Sequence, residues 1–344
     1  MDGRDAAGWS RRDFLGGLTV AGTAGFLGLR PDPAAAEPPP ETLTLKIQRT
    51  VKTLPGVCVA PQLVADELLK LEGFTDVRYV ATDTPQRAAG LAGGEIDLSM
   101  EFVGFWIKQV DAGDPIVMLT GVHVGCYELF ASGRIRTIGE LRGKTIGLTE
   151  LGSGRHLFLV SLLSYVGLNP HKDITLITKP QAESVKLFTE GKLDAYMAFS
   201  EEVPELRKRK IGHVILSSTE ERPWSQYFCC VLAGNRAFVR AHPVATKRAV
   251  RAILKASSLC ALEPDRVARS LVDRGFTTAP YEYVRDTIKS LPYTKWREYD
   301  PTDTVRFYTL RLHEVGIVKS TPQKILAQGT DWRFLNELKR ELKG

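Results

Sequence analysis

From Thr42 onward one unit repeats along the chain: a short run rich in β-branched residues, then a stretch with helical spacing. Residues 43–48 alternate apolar and polar side chains, the period of a strand. Leu63, Val64, Leu68 and Leu71 then fall on one helical face across residues 61–71. The same reading predicts strands over residues 77–80, 96–100, 116–120, 127–131, 145–149, 174–178, 193–198, 214–216 and 227–232. Strands separated by helices of this size argue for parallel α/β sheets. After Asn235 the pattern turns helical, with helices predicted over 243–262, 265–274, 280–290, 303–315, 322–328 and 332–342.

An internal echo supports two halves on one plan. Leu91-Ala-Gly-Gly-Glu-Ile-Asp-Leu returns as Phe188-Thr-Glu-Gly-Lys-Leu-Asp-Ala, placing Asp97 and Asp194 in matching positions. In both places glycine ends a helix, where it takes the left-handed conformation, and a strand follows. Glycines Gly121, Gly125 and Gly234 flank β-rich stretches and mark candidate crossings between the halves.

The first residues are expected to serve export. Ser10-Arg-Arg-Asp-Phe-Leu precedes a glycine-rich apolar run over 16–29 and then Pro31-Asp-Pro-Ala-Ala-Ala-Glu. This order of charge, apolar run and small residues makes a secretory signal, with cleavage expected between Ala36 and Glu37. The paired Arg11-Arg12 resembles the twin-arginine signal, and the apolar run falls short of the roughly 20 residues that would span a membrane. The mature chain is expected to be soluble in the periplasm.

Charge and spacing exclude several functions. Lysine and arginine number 46 against 40 acidic residues, and this net +6 is too diffuse for a nucleic-acid surface. The basic run over 207–210 reads as a solvated helix end. The cysteines Cys58, Cys126, Cys229, Cys230 and Cys260 make neither a C-x-x-C pair nor an even framework, and the histidines lack ligand spacing. No metal, cofactor or catalytic residue is therefore expected, and no P-loop, G-x-S-x-G or H-E-x-x-H occurs.

Several segments together resemble the periplasmic substrate-binding proteins of ABC importers, in the branch for nitrate, sulfonates, taurine or thiamine-pyrimidine precursors. They are Gly90-Leu-Ala-Gly-Gly-Glu-Ile-Asp-Leu, Ile138-Gly-Glu-Leu-Arg-Gly-Lys-Thr-Ile-Gly-Leu with Gly152-Ser-Gly, Leu162-Leu-Ser-Tyr-Val-Gly-Leu-Asn-Pro, Phe188 to Asp194, and Phe238-Val-Arg-Ala-His-Pro. The resemblance implies an α/β fold: a type II clamshell of two lobes, two hinge crossovers and a C-terminal helical cap. Lobe one would be residues 42–124 plus 232–344 and lobe two 125–231, with hinges near 121–127 and 227–231. A small-molecule ligand would lie between the lobes, and a transient ABC permease and its ATPase would be the partners of a monomer.

Ligand groups are expected outside the carboxyl ends of strands, where helix N-termini present free amides. The strongest candidates are Gly152, Ser153, Gly154 and Arg155, with Arg155 pairing an anion from an exposed loop; the bland alternative is an N-cap with an outward arginine. Thr53, Pro55 and Gly56 follow the first strand, with Cys58 beside them as a small hydrophobe. Thr82, Glu101, Phe102, His123, Phe199, Gln226 and Tyr227 complete the set, and Asp83 or Thr84 is the expected N-cap of the next helix. A solute receptor is the leading reading. The alternatives are an enzyme like the thiamine-pyrimidine synthase, for which Cys229-Cys230 is a faint parallel, and an orphan sensor or scavenger without a permease.

Overall fold

A computed structural model describes residues 37–51 and 56–342. The export signal, Thr53 and Pro55 lie outside these residues. Among the described residues ten strands form two five-stranded sheets. β1 (Thr44–Thr50), β2 (Asp76–Thr82), β3 (Leu98–Phe102), β4 (Ile116–His123) and β10 (Cys230–Asn235) take the order β2-β1-β3-β10-β4. β5 (Tyr127–Ala131), β6 (Lys144–Leu148), β7 (Ile174–Thr178), β8 (Ala195–Phe199) and β9 (His213–Ser217) take the order β7-β6-β8-β5-β9.

All the predicted strands form, with ends displaced by up to three residues. The parallel arrangement requires correction. β10 runs antiparallel to β3 and β4, and β5 runs antiparallel to β8 and β9, so both sheets are mixed. The odd strand in each sheet is the one the chain delivers directly from the other sheet: β5 follows β4, and β10 follows β9. Such a strand enters without a helical return, so its direction is reversed.

The repeated aspartates do equivalent work. The Asp97 carboxylate accepts from the Lys46 amide at 2.7 Å, and the Asp97 amide donates to the Lys46 carbonyl at 2.8 Å. Asp194 makes the same pair of bonds with Thr145, both at 2.9 Å. Each aspartate thereby ties the start of one strand to its neighbour, just after a left-handed glycine, Gly94 or Gly191.

The helix predicted over 61–71 divides into Ala60–Leu63 and Asp66–Leu71. Buried Gln62 sits in the first piece. Its amide nitrogen donates to the Gln48 carbonyl at 2.9 Å, and its amide oxygen accepts from the Met100 N–H at 2.7 Å. β1 and β3 pair at Ile47–Leu98, and beyond this point the Gln62 amide fills the opening between them. The two strands therefore part toward their carboxyl ends.

After β10 the chain is helical. The long helix Pro243–Leu262 buries Ala245, Ala249, Ala252, Ile253, Ala256 and Cys260 on one face. Proline occupies an initial position in this helix and in Pro264–Asp273, Pro301–Glu314 and Pro322–Gly329, where its missing N–H costs nothing. No helix among the described residues is long and apolar enough to cross a membrane.

The crossing region is packed without slack. A Cβ on Gly121 would fall 2.3 Å from the ring of buried Phe228, so β4 and the approach to β10 meet only because this side chain is missing. Gly121→Ala is expected to cost about 1–3 kcal/mol through overpacking. Adding Phe228→Leu should recover part of that loss in urea denaturation; strictly additive losses would show that the ring is not the obstacle.

Candidate functional site

The carboxyl ends of strands from both sheets converge on a cavity of ≈ 70 Å³. Thr50 ends β1, Glu101 lies near the end of β3, and Phe199 ends β8. Thr149, Glu150, Ser153 and Gly154 enter from the turn after β6, while Thr84, Arg87, Cys58, Val59, Tyr127 and Arg155 complete the wall. A larger cavity of ≈ 320 Å³ lies beside Glu128, Ser200, Arg207 and Ser217. The smaller one is taken as the site because it joins the equivalent ends of β1 and β6.

Local sequence explains the scaffold. Asp83 caps the helix Thr84–Gly93 in a capping box with Gln86, which presents Thr84 and Arg87 on its first turns. Ser153 caps the helix Gly154–Tyr165, accepting from the His156 amide and donating to the Glu150 carbonyl at 2.8 Å. Burial holds His156 down at about 4. Its neutral ring can therefore accept from the Gly152 amide at 3.1 Å.

Bonds from both sheets meet across this region. The Thr84 hydroxyl donates to Glu150 Oε2 at 2.9 Å. The Gly56 amide donates to Glu201 Oε1 at 2.6 Å, the Val57 amide donates to the same oxygen, and the Thr277 hydroxyl reaches Glu201 Oε2 at 3.3 Å. Burial, reinforced by the neighbouring Glu202 charge, outweighs these donors and pushes the Glu201 carboxyl up to about 7. Gly154 permits the closest approach: a Cβ there would lie 2.8 Å from both Glu101 Oε1 and the Tyr127 hydroxyl.

Charge at the site is internally matched. Arg87 forms an ion pair with Glu101, and burial holds Arg87 below its ordinary value. Arg155 grips Glu202 with both ends of its guanidinium, at 2.9 and 3.2 Å, and also donates to the Tyr196 hydroxyl and the Met197 carbonyl. Burial opposes the Arg155 charge, but the Glu202 carboxylate more than offsets this and holds its value above normal. Two buried polar atoms in the cavity wall have no partner among the described residues: Thr50 Oγ1 and Arg87 Nε.

The expected site residues separate into two groups. Glu101, Ser153, Gly154, Arg155 and Phe199 line the cavity. Gly56 lies beside it through its bond to Glu201, and Gly152 supports the turn. Thr82 instead accepts from Gln48 at 3.2 Å. Phe102 is core, edge-on to Tyr127, Phe158 and Tyr308. His123 is buried between the carbonyls of Val124 and Cys58, and Tyr227 stacks on Phe307 at 4.2 Å. Gln226 lies in a short turn outside the cavity wall. The picture of Arg155 on an exposed loop is corrected: it is 6% exposed and committed to Glu202, because the carboxylate that captures it arrives from 47 residues away. Thr50, Arg87, Tyr127 and Glu150 were not anticipated. Arg87 was legible in principle, since it falls on the first turn of a helix that opens at a strand end. At the edge of the cavity, which Cys58 lines, the sulfurs of Cys58, Cys126 and Cys230 lie within 4.8 Å of one another, a group able to hold a metal ion.

This two-sheet arrangement, with strand ends meeting between mixed sheets and a helical C-terminal part, is the two-lobed clamshell of periplasmic binding proteins. The family model of the NMT1-like family matches residues 81–272, more than half of the chain, and the protein belongs to that family. No curated protein matches it in sequence. The periplasmic nitrate-binding protein NrtA from Synechocystis PCC 6803 is 15% identical with a TM-score of 0.71, covering 89% of this chain and 90% of its own. The periplasmic aliphatic sulphonate binding protein SsuA from Escherichia coli is 17% identical with a TM-score of 0.66, over 82% and 91%. A mutant of DSZB in complex with biphenyl-2-sulfinic acid is 13% identical with a TM-score of 0.59, over 87% and 99%.

Two outcomes follow from the buried charges. Arg155→Ala strands the Glu202 carboxylate and is expected to lower unfolding free energy by about 3–5 kcal/mol, whereas Arg155→Met with Glu202→Leu should recover most of it. Equal stability of Arg155→Ala and wild type in guanidinium melts would refute the pair. For Glu201, the folded carboxyl keeps its proton up to about 7, above the ordinary 4.5 of the unfolded chain. Stability should therefore fall as pH rises through that window, by up to about 3 kcal/mol. Glu201→Gln should flatten this slope and exceed wild type at pH 8, as read from urea midpoints at pH 5 and 8; parallel pH profiles for the two proteins would count against it.

Proposed function

We propose that this protein is a periplasmic solute-binding receptor that captures a small organic molecule between two lobes and delivers it to an ABC permease. It acts by binding and not by catalysis. The lobes are residues 42–124 with 232–344, and 125–231; the crossings near 121–127 and 227–231 are the hinges. Residues 1–36 act as a twin-arginine export signal removed before Glu37, and the working form is a monomer.

The observation that supports this reading best is the pair of polar atoms without a partner among the described residues, Thr50 Oγ1 and Arg87 Nε, in the cavity at the strand ends. A buried polar atom without a partner costs free energy, and a ligand that bonds to it removes that cost. The same geometry selects the ligand. Because Glu202 occupies Arg155 and Glu101 occupies Arg87, the described residues of the wall carry no surplus positive charge for a free anion. Tyr127 and Phe199, edge-on to each other at 5.4 Å, add aromatic surface. A small heteroaromatic solute with one acceptor for Arg87 and one polar edge for Thr50 fits this wall better than a simple anion.

A thermal-shift screen of small heteroaromatics and organic acids tests the proposal, since a ligand of the folded state raises its melting temperature. Hits from the first class are expected, and Thr50→Val should weaken them about tenfold in calorimetry, in line with one neutral hydrogen bond. Hits confined to acids, or affinities unchanged in Thr50→Val, would move the ligand away from this wall. No stabilising compound in either class would argue against a receptor.

A further inference from the structure

Three of the buried cysteines come together from distant parts of the chain. Cys58 lies in the short turn Val57–Val59 after β1, Cys126 in the crossing between β4 and β5, and Cys230 at the first position of β10. Their sulfurs are mutually within 4.8 Å, and Cys126 Sγ is 3.8 Å from Cys230 Sγ. We propose that Cys58, Cys126 and Cys230 form a three-coordinate thiolate site for a soft d10 cation, Cu(I).

Coordination number decides the class of metal. A planar site with metal–sulfur bonds of about 2.3 Å needs sulfurs about 4.0 Å apart, which this group meets with sub-ångström shifts. Zinc asks for a fourth ligand. The nearest imidazole cannot supply one as it stands, because both ring nitrogens of His123 face carbonyl oxygens, Val124 at 3.0 Å and Cys58 at 2.7 Å. Cys229 and every carboxylate among the described residues fall outside the mutually close group. Three soft sulfurs that are mutually close, with Cys229 near only two of them, suit Cu(I). Each sulfur enters as a thiolate, releasing the proton of any thiol that still carries one.

The surroundings are built to hold these positions. Cys126 takes a φ of 121°, rare for a residue with a side chain, directly after Gly125 at 86°. Such a conformation persists only where packing enforces it, and here it turns the thiol toward Cys230. The cysteines are buried to 6% exposure or less, and Cys58 also lines the cavity between the sheets, which provides the entry path. A bound ion would join both chain crossings to the turn after β1. The site is independent of which solute the cavity takes.

The test uses the full chain, reduced and handled without oxygen, titrated with Cu(I) in competition with bicinchoninate. One ion per chain is expected, with three sulfurs near 2.3 Å and no nitrogen in its X-ray absorption spectrum. Cys126→Ser and Cys230→Ser should each lose at least about a hundredfold in affinity, more than outer-shell changes cost. Cys260→Ser, whose thiol is buried elsewhere, should bind as wild type. The spectrum is read on the unmodified protein, so a poorly folded variant does not blunt the result. A nitrogen ligand, undiminished affinity in Cys126→Ser, or isolation of the protein from its cell with Cys126 and Cys230 joined as a disulfide would overturn the proposal.

Discussion

The insertion of β10 between β3 and β4 is the interaction on which the rest of the structure depends. A single strand, arriving from the other sheet, supplies the ladder to two neighbours at once, with Cys230 opposite both Phe102 and His123. β5 makes the reciprocal insertion between β8 and β9. With one strand exchanged each way, the chain must pass between the sheets twice, buried over residues 121–127 and again from Phe228 onward. That requirement accounts for Gly121 beneath Phe228, for buried His123 held between two carbonyls, and for thiols from separated segments in mutual contact. A loop on the surface could have relaxed any of these; a crossing buried on all sides cannot.

The second organising fact is that arginines at the strand ends bring their own counter-ions. Arg87 with Glu101 and Arg155 with Glu202 are nearly excluded from water. Pairs of this kind gain little over apolar packing, yet removing one partner is expensive, so they fix geometry more than they add stability. If the cavity takes a solute, discrimination falls to the few donors and acceptors left without partners among the described residues. A site so arranged selects by hydrogen-bond pattern and shape, and its affinity should depend only weakly on ionic strength.

Much of the framework was legible from short-range pattern. Alternation located the strands, Asp83 and Ser153 announced helix starts, and the glycine–aspartate echo marked equivalent corners of the two sheets. These features are decided within a few residues of themselves. Strand direction was not: nothing within Cys230–Asn235 says that its neighbours will be β3 and β4. Arg155 shows the same limit. Gly-Ser-Gly-Arg reads as a polar loop, and only the fold brings Glu202 to the guanidinium. The cysteines escaped for a related reason, since Cys58, Cys126 and Cys230 have no spacing that a motif could express.

The carboxylate of Glu201 resting on the amides of Gly56 and Val57 has a consequence for timing. Those amides belong to the first sheet's side and the carboxylate to the second's, so this contact ties the two sheets together beside the cavity. If the proposed receptor opens by parting its sheets, this contact must break with them. Capture by such a receptor would follow collision frequency at low solute concentration and level off at the rate of parting as concentration rises. The speed limit of such a receptor would then lie in one internal hydrogen-bonded contact and not in the chemistry of what is taken up.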